Sequence, residues 1–436
     1  MSDITVATMS TTTTPTSTTA VPPTRRRLPG RRNPHAALAV LTACVFVVGT
    51  AEYVMTGLVP ELAADLDRPV STTGSLVGWY ALTVTIAGPL VTVALLRLPQ
   101  RRVLIGLLVA FTAGNAAAAL ATGYDALLAA RVGTALTHST TFAVALVAAV
   151  GAAPVGQRGR AVAAVASGWN LASVLGAPLG TWIGDRYGWR TTFWAIAACG
   201  LLVAVAAAVL VRPPRPPAPP APRAEVRALL RPRVGLILAA TVLAQAGLFT
   251  AYTFIGPLLR GPAGFGAAGV SVLLAVFGAG ALLGNALGGR FADRGPARAL
   301  CAAILALAAT LALFAGAIHT QPTTVGAMFV LGAASAVLIP LLQERALDAA
   351  PGAPTLVTAV SASAFNLGIA SGASIGGRSL DSGLELSDLA WLGALVTLAA
   401  LLPALAAAAR SRYPQHTPQH TSHDTPITHP GNGVRP

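Results

Sequence analysis

Few of the side chains in this sequence that carry charge lie inside its apolar stretches, and those few bound the chemistry open to it. Glu52, Arg131 and His138 each fall well within a run of aliphatic residues. An ionisable group at such a position costs about 3 kcal/mol or more unless it is paired or wetted, so each marks a candidate site. A carboxyl can take up and release a proton; burial favours its neutral form and a neighbouring guanidinium favours its anion. Arginine keeps its proton and serves as a fixed charge. His138 follows Arg131 by two helical turns on one face, where it can relay a proton or pack as a neutral, hydrogen-bonded ring. Glu61 and Asp65 lie nearer the end of their segment and are expected to be solvated. Asp185, Arg186 and Arg190 are expected to organise a turn between segments.

Other chemistries find no support in the residues. No catalytic cluster and no phosphate-binding loop occurs, so neither an enzyme nor ATP drive is expected. Cys44, Cys199 and Cys301 have neither metal-site nor disulfide spacing and read as small buried hydrophobes. His416, His420, His423 and His429 sit in a polar tail punctuated by proline, which reads as solvated rather than as a metal site. No cofactor is implied.

The elements that must hold these groups are membrane spans. Hydrophobic residues make up 54% of the 436 and charged residues 10%, with a mean hydropathy of +0.67. A soluble domain carries about 25% charged residues and could not hide so much apolar surface. Twelve segments have the roughly 20 apolar residues needed to cross a bilayer. They run over 36–60, 73–96, 103–121, 126–150, 161–183, 191–211, 234–258, 270–289, 299–318, 325–342, 355–377 and 389–409. They are Ala/Leu-rich and lack period-two alternation, which argues for helices and against a β-barrel.

The chain also repeats itself. Asn170, Gly176 and Gly180 recur as Asn366, Gly372 and Gly376, each displaced by 196 positions, and Gly88/Gly284 and Arg102/Arg298 keep that register. Two similar membrane halves in tandem are a common plan of solute carriers. All basic residues are arginine, and they cluster in alternate loops; the other loops hold only Arg68, Arg186, Arg190, Arg260 and Arg378. That asymmetry places both termini in the cytoplasm. It also accounts for the net charge of +14 as topology and contact with anionic lipid, with no need of nucleic acid.

Several segments in the right order resemble one family. GTAEYVMTGLVPELAADL from Gly49 is similar to the first helix of the major facilitator superfamily. The match is to its twelve-helix drug/proton antiporter branch, near the arabinose-efflux-like and actinobacterial chloramphenicol-resistance exporters. AARVGTALTHST from Ala129 is similar to the branch's fourth-helix arginine motif. NLASVLGAPLGTWIGDRYGWRTTFW from Asn170 is similar to its fifth-helix Gly-Pro antiporter motif. GNALGGRFADRGPAR from Gly284 is similar to the signature loop after helix 8. The first half departs from that loop pattern: Val93 stands where the repeat has Gly289, and Arg97 where it has Asp293.

The resemblance implies an all-α membrane protein of the major facilitator fold, twelve helices in two six-helix halves. The expected organisation is a disordered tail over 1–35, a six-helix bundle over 36–211, a Pro/Arg-rich linker over 212–233, a second bundle over 234–409 and a disordered tail over 410–436. It implies that helices 1 and 4 both line a central cavity. Glu52 and Arg131 each fall roughly 9 Å below the outer surface at 1.5 Å rise per residue, so the two can meet there. Making and breaking that contact would couple proton entry to export of a solute; a static ion pair is the competing reading. Gly176, Pro178 and Gly180, with Gly289, Asp293 and Arg294, are the expected gating elements. Candidate substrate contacts are Tyr53, Met55, Asn170, Gln245, Thr250, Tyr252 and Asn366, a set suited to a lipophilic or amphiphilic compound. A sugar or nucleoside is the alternative cargo. The expected setting is a monomer in a bacterial cytoplasmic membrane, with protons, lipids and a small-molecule substrate as partners.

Overall fold

The computed structural model describes residues 34–95, 98–153, 157–211, 230–292, 296–350 and 354–411. The terminal tails, the linker over 212–229, and Arg97, Asp293 and Arg294 lie outside the described residues. The described residues from Pro34 to Ser411 form one compact unit.

Among the described residues the chain is helical, with no strand. The first elements are α1 (Pro34–Asp65), α2 (Val70–Leu95), α3 (Gln100–Ala119) and α4 (Tyr124–Ala152). They are followed by α5 (Arg158–Leu171), a π-helical turn (Ala172–Gly176), α6 (Ala177–Tyr187) and α7 (Trp189–Leu210). The remainder comprises α8 (Pro232–Tyr252), α9 (Ile255–Arg260), α10 (Ala267–Ala292), α11 (Pro296–Ala317) and α12 (Gln321–Ala349). The last three are α13 (Pro354–Asp381), α14 (Asp388–Ala399) and α15 (Leu401–Ser411). Together they make twelve segments long and apolar enough to span a bilayer, in register with the expected twelve. Lipid offers no partner for backbone N–H and C=O groups, so each crossing has to satisfy its own ladder as a helix. Buried hydroxyls follow the same logic. Thr134, Thr141, Thr241 and Thr250 each donate to the carbonyl four residues back and can sit in an apolar interior.

Three expected spans are interrupted, each beside a proline; the twelfth breaks at Ala400, three residues before Pro403. The fifth contains the π-helical turn, whose end is marked by the Ala177 N–H bonding to the Ala172 carbonyl five residues back. Pro178 has no N–H, and its ring would crowd the Val174 carbonyl in a regular helix, so the ladder widens just before it. The seventh breaks after Tyr252 and resumes as α9. There Pro257 cannot donate to the carbonyl of Thr253.

Within the first six spans, α1 packs on α2, α4, α5, α6 and α7, and α3 packs on α4 and α7. Within the last six, α8 packs on α12, α13, α14 and α15, and α10 lies along α12. The two sets meet through α2 against α13, the π turn and α6 against α10, and α9 against α1. Gly278 of α10 is essential to that seam, because a Cβ there would stand 2.7 Å from the Val174 Cα. Outward faces remain apolar: Leu201, Leu202 and Val205 of α7 are exposed. Cys199 shares that helix and is exposed, where the sequence reading expected burial; Cys44 is buried and Cys301 half-buried. A thiol facing hydrocarbon is as well matched as one in the core, so the apolar pattern alone does not separate the two.

Candidate functional site

Midway along the seam, α1, α2, α4, α8 and α13 enclose a cavity of about 10 Å³, the room of roughly one water molecule. From the first six spans come Glu52, Tyr53 and Thr56 of α1, Val77 and Tyr80 of α2, and Arg131 of α4. Phe249 of α8 and Ile369 of α13 close it from the last six. Glu52 and Arg131 thus line the same cavity. Their distances from the helix ends differ from the expectation, because α1 continues to Asp65 and so carries Glu52 deeper from its helix end than Arg131 is from the start of α4.

Arg131 is 1% exposed, and its surroundings compensate the buried charge in three ways. Nη1 donates to the Ala51 carbonyl at 2.8 Å, which ties α4 to α1. The guanidinium carbon lies 4.2 Å from the centroid of the Tyr80 ring, and the Phe193 ring stands at 6.0 Å. A desolvated cation over an aromatic face gains about 2 kcal/mol. Nε is buried with no hydrogen-bond partner. Glu52 makes no direct salt bridge with Arg131; Nε2 of His138 lies 3.9 Å from its carboxyl Oε2.

His138 is the hub of this wall. Its Nδ1 and the Tyr80 hydroxyl are 3.0 Å apart. If the phenol donates, the ring proton sits on Nε2 and faces Glu52. Trp169 of α5 stacks on the imidazole, with centroids 5.0 Å apart and planes at 29°. Tyr53 and Phe142 meet the same indole edge-on. A carboxyl, a neutral or charged imidazole, a phenol and a permanent cation therefore adjoin one another at the seam. The net charge there follows the protons on Glu52 and His138, because Arg131 stays charged.

The other predicted residues are spread more widely. Tyr53 lines the cavity, whereas Met55 is fully buried in the core beside it. Thr250 is buried and turned onto its own helix, donating to Ala246. Tyr252 stacks on Phe277, with centroids 4.5 Å apart. Gln245 and Asn366 are buried, and each leaves its side-chain oxygen without a partner. Asn170 is half-buried on α5. Gly176, Pro178 and Gly180 are buried, and the two glycines lie flush against Thr50 and Val54 of α1. Gly289 is exposed near the end of α10.

A second polar cluster lies at the end of the molecule that carries the α1–α2 turn. Arg260 of α9 pairs with Glu61 of α1 and stands 3.7 Å from Asp185 of α6. The pairing joins the first six spans to the last six, and Glu61, expected to be solvated, has a side chain only 15% exposed. Asp65 is taken up by Arg190 at 2.7 Å and by the Trp189 indole N–H at 3.0 Å, both at the start of α7. Sequence reading missed Tyr80, Trp169 and the partnership of Arg260. None has a local signal: an aromatic in an apolar run looks like packing, and Arg260 reads as one more loop charge.

The sequence model of the Major Facilitator Superfamily matches residues 41–373 and 237–429. A chloramphenicol resistance protein of Streptomyces lividans is 35% identical over 378 residues, 84% of this chain and 95% of that one. A probable sugar efflux transporter of Mannheimia succiniciproducens is 30% identical over 358 residues, covering 82% and 90%. Among solved structures, an inward-facing, unoccupied bacterial homologue of the human lysosomal transporter Spinster aligns with a TM-score of 0.65 at 17% identity. That alignment covers 87% of this chain and 96% of the other.

Proposed function

The chain belongs to the Major Facilitator Superfamily, and from that premise we propose that it exports a small lipophilic or amphiphilic compound in exchange for protons. The observation that carries this reading is the position of Glu52. It is the acidic side chain farthest from any helix end, and it faces a cavity walled by both sets of six spans. A group at that place is exposed to whichever side the two sets open toward. Rocking of two six-helix halves would present Glu52 first to one compartment and then to the other. A proton taken up on one side and released on the other, with Arg131 as fixed counter-charge, links solute exit to proton entry. The aromatic and aliphatic lining, Tyr53, Val77, Tyr80, Phe249 and Ile369, suits a cargo with apolar area and few hydrogen-bonding groups.

The arginine asymmetry supports a reading with both termini in the cytoplasm and the α1–α2 turn outside. In that frame the Arg260 cluster closes the outer side. The protein acts as a monomer, and it is a carrier rather than an enzyme. The similarity to a sugar efflux transporter favours a second reading, in which the cargo is a sugar or nucleoside. Gln245 and Asn366, with free carbonyl oxygens, would then supply acceptors for hydroxyl groups.

The test is growth inhibition across a chemically diverse compound panel in a pump-deficient bacterium. Wild type, Glu52→Gln and Arg131→Ala are compared at matched membrane levels. Wild type should raise resistance to lipophilic compounds, and both variants should lose it. Resistance retained by Glu52→Gln would remove the coupling role while leaving export. Resistance to none of the compounds would overturn the lipophilic cargo in favour of sugar transport, measured in vesicles.

A further inference from the structure

Away from the central cavity, a groove of about 330 Å³ runs between α2 and α13 on the outer face of the seam. On α2 it is lined at positions 71, 72, 75, 78, 79 and 82, and on α13 at 370, 373, 374, 377, 378 and 381. Each set is a single helical stripe, and the helices are antiparallel, with a Cβ on Gly377 meeting Ser71 and one on Gly78 meeting Ala373. Eleven residues of rise make the groove roughly 16 Å long.

Its polarity is graded along that length. At the end nearest the α1–α2 turn stand Ser71, Thr72, Ser75, Ser374, Arg378 and Asp381. At the other end stand Leu82, Ala370 and Trp79, the last half-exposed. Ser75 is already engaged, with the Thr72 carbonyl at 2.6 Å and the Tyr124 hydroxyl at 2.7 Å. Arg378 and Asp381 are both exposed, and among the described residues neither side chain has a hydrogen bond or ion pair. A water-soluble ligand could not use the apolar end, and a purely apolar chain could not use the charged one. An amphiphile of the bilayer matches both, with its head at the helix ends and its tail toward the membrane interior.

The two free charges narrow the headgroup. A guanidinium forks onto phosphate oxygens, and a carboxylate one helical turn away accepts from an ammonium. An anionic head lacking an amine would leave Asp381 facing negative charge, and a quaternary amine has no N–H to give it. We propose that this groove binds a bilayer glycerophospholipid with a primary-amine headgroup, its phosphate on Arg378 and its ammonium on Asp381. Because the groove is half α2 and half α13, the bound lipid bridges the first six spans to the last six. It would thereby favour the arrangement in which those helices are together. The inference rests on the chain spanning a bilayer and is independent of whether it exports a drug or a sugar.

The experiment is native mass spectrometry of the full chain, taken from nanodiscs containing equal parts phosphatidylethanolamine, phosphatidylcholine and phosphatidylglycerol. Wild type should retain phosphatidylethanolamine about tenfold more than either of the others. Arg378→Gln should lower that retention about tenfold, and Asp381→Asn should erase the preference over phosphatidylglycerol. Should Arg378→Gln yield no folded protein, Ser374→Leu, which fills the groove and leaves both charges, must lower retention as well. Equal retention of the three lipids, or a preference unchanged by these substitutions, overturns the proposal. A mass of two chains in place of lipid adducts overturns it too, in favour of a second copy on this face.

Discussion

Removing the charge of Glu61 should loosen the closed end of the carrier by an amount that the structure lets us work out. Glu61 and Arg260 have side chains 15% and 27% exposed, so their pair lies between the solvated and the buried extremes. Exposed pairs contribute about 0.2–1 kcal/mol, and breaking a buried one costs about 3–5 kcal/mol, which places this contact near about 2 kcal/mol. Since Arg260 joins α9 to α1, that energy counts toward the state in which the two sets touch at this end. Its loss shifts the open-to-closed ratio about thirtyfold. Arg260→Gln should do more, because it leaves Glu61 and Asp185 both unneutralised around one position. The assay uses Thr56→Cys, a buried position on the cavity wall, in a chain whose Cys44, Cys199 and Cys301 are replaced by alanine. A membrane-impermeant maleimide is applied to intact cells and the labelling rate measured. Glu61→Gln should raise the rate about thirtyfold and Arg260→Gln about a hundredfold, with the double variant well below their product. Rates within about twofold of the parent for both single variants would mean that the pair is worth no more than a solvated one, and would refute the reasoning.

Three further outcomes follow from the same geometry. Asp65→Asn, at a pair with side chains 42% and 45% exposed, should leave labelling unchanged and cost under about 0.5 kcal/mol in a detergent melt, since solvent screens it. Tyr80→Phe keeps the ring beneath Arg131 but removes the hydroxyl from His138 Nδ1, so it should lower transport and alter its pH profile while the melting temperature moves by about 1 kcal/mol equivalent or less. Gly284→Ala drives a methyl group into the Ala333 backbone of α12, and should destabilise the protein by about 1–3 kcal/mol, read from the same melt.

Sequence alone determined the helical class and the twelve segments long enough to cross, because these depend on local quantities: the length of an apolar run and the need of each crossing for its own backbone partners. It also singled out Glu52, Arg131 and His138, since a charge within an apolar run is visible without knowing its neighbours. The partners of those groups were decided only by packing. Tyr80 and Trp169 look like ordinary core aromatics until α2 and α5 bring them against His138. Glu61 reads as a solvated acid until α9 delivers Arg260 from 199 positions away. Cys199 reads as buried until α7 turns it outward. Pro178 removes a backbone donor from the fifth crossing, but whether the helix kinks, breaks or widens into a π turn is visible only in the fold. Apolar periodicity tells a span where to sit in a bilayer; which neighbour each face meets is set by how twelve such spans share their surfaces, and no single span carries that information.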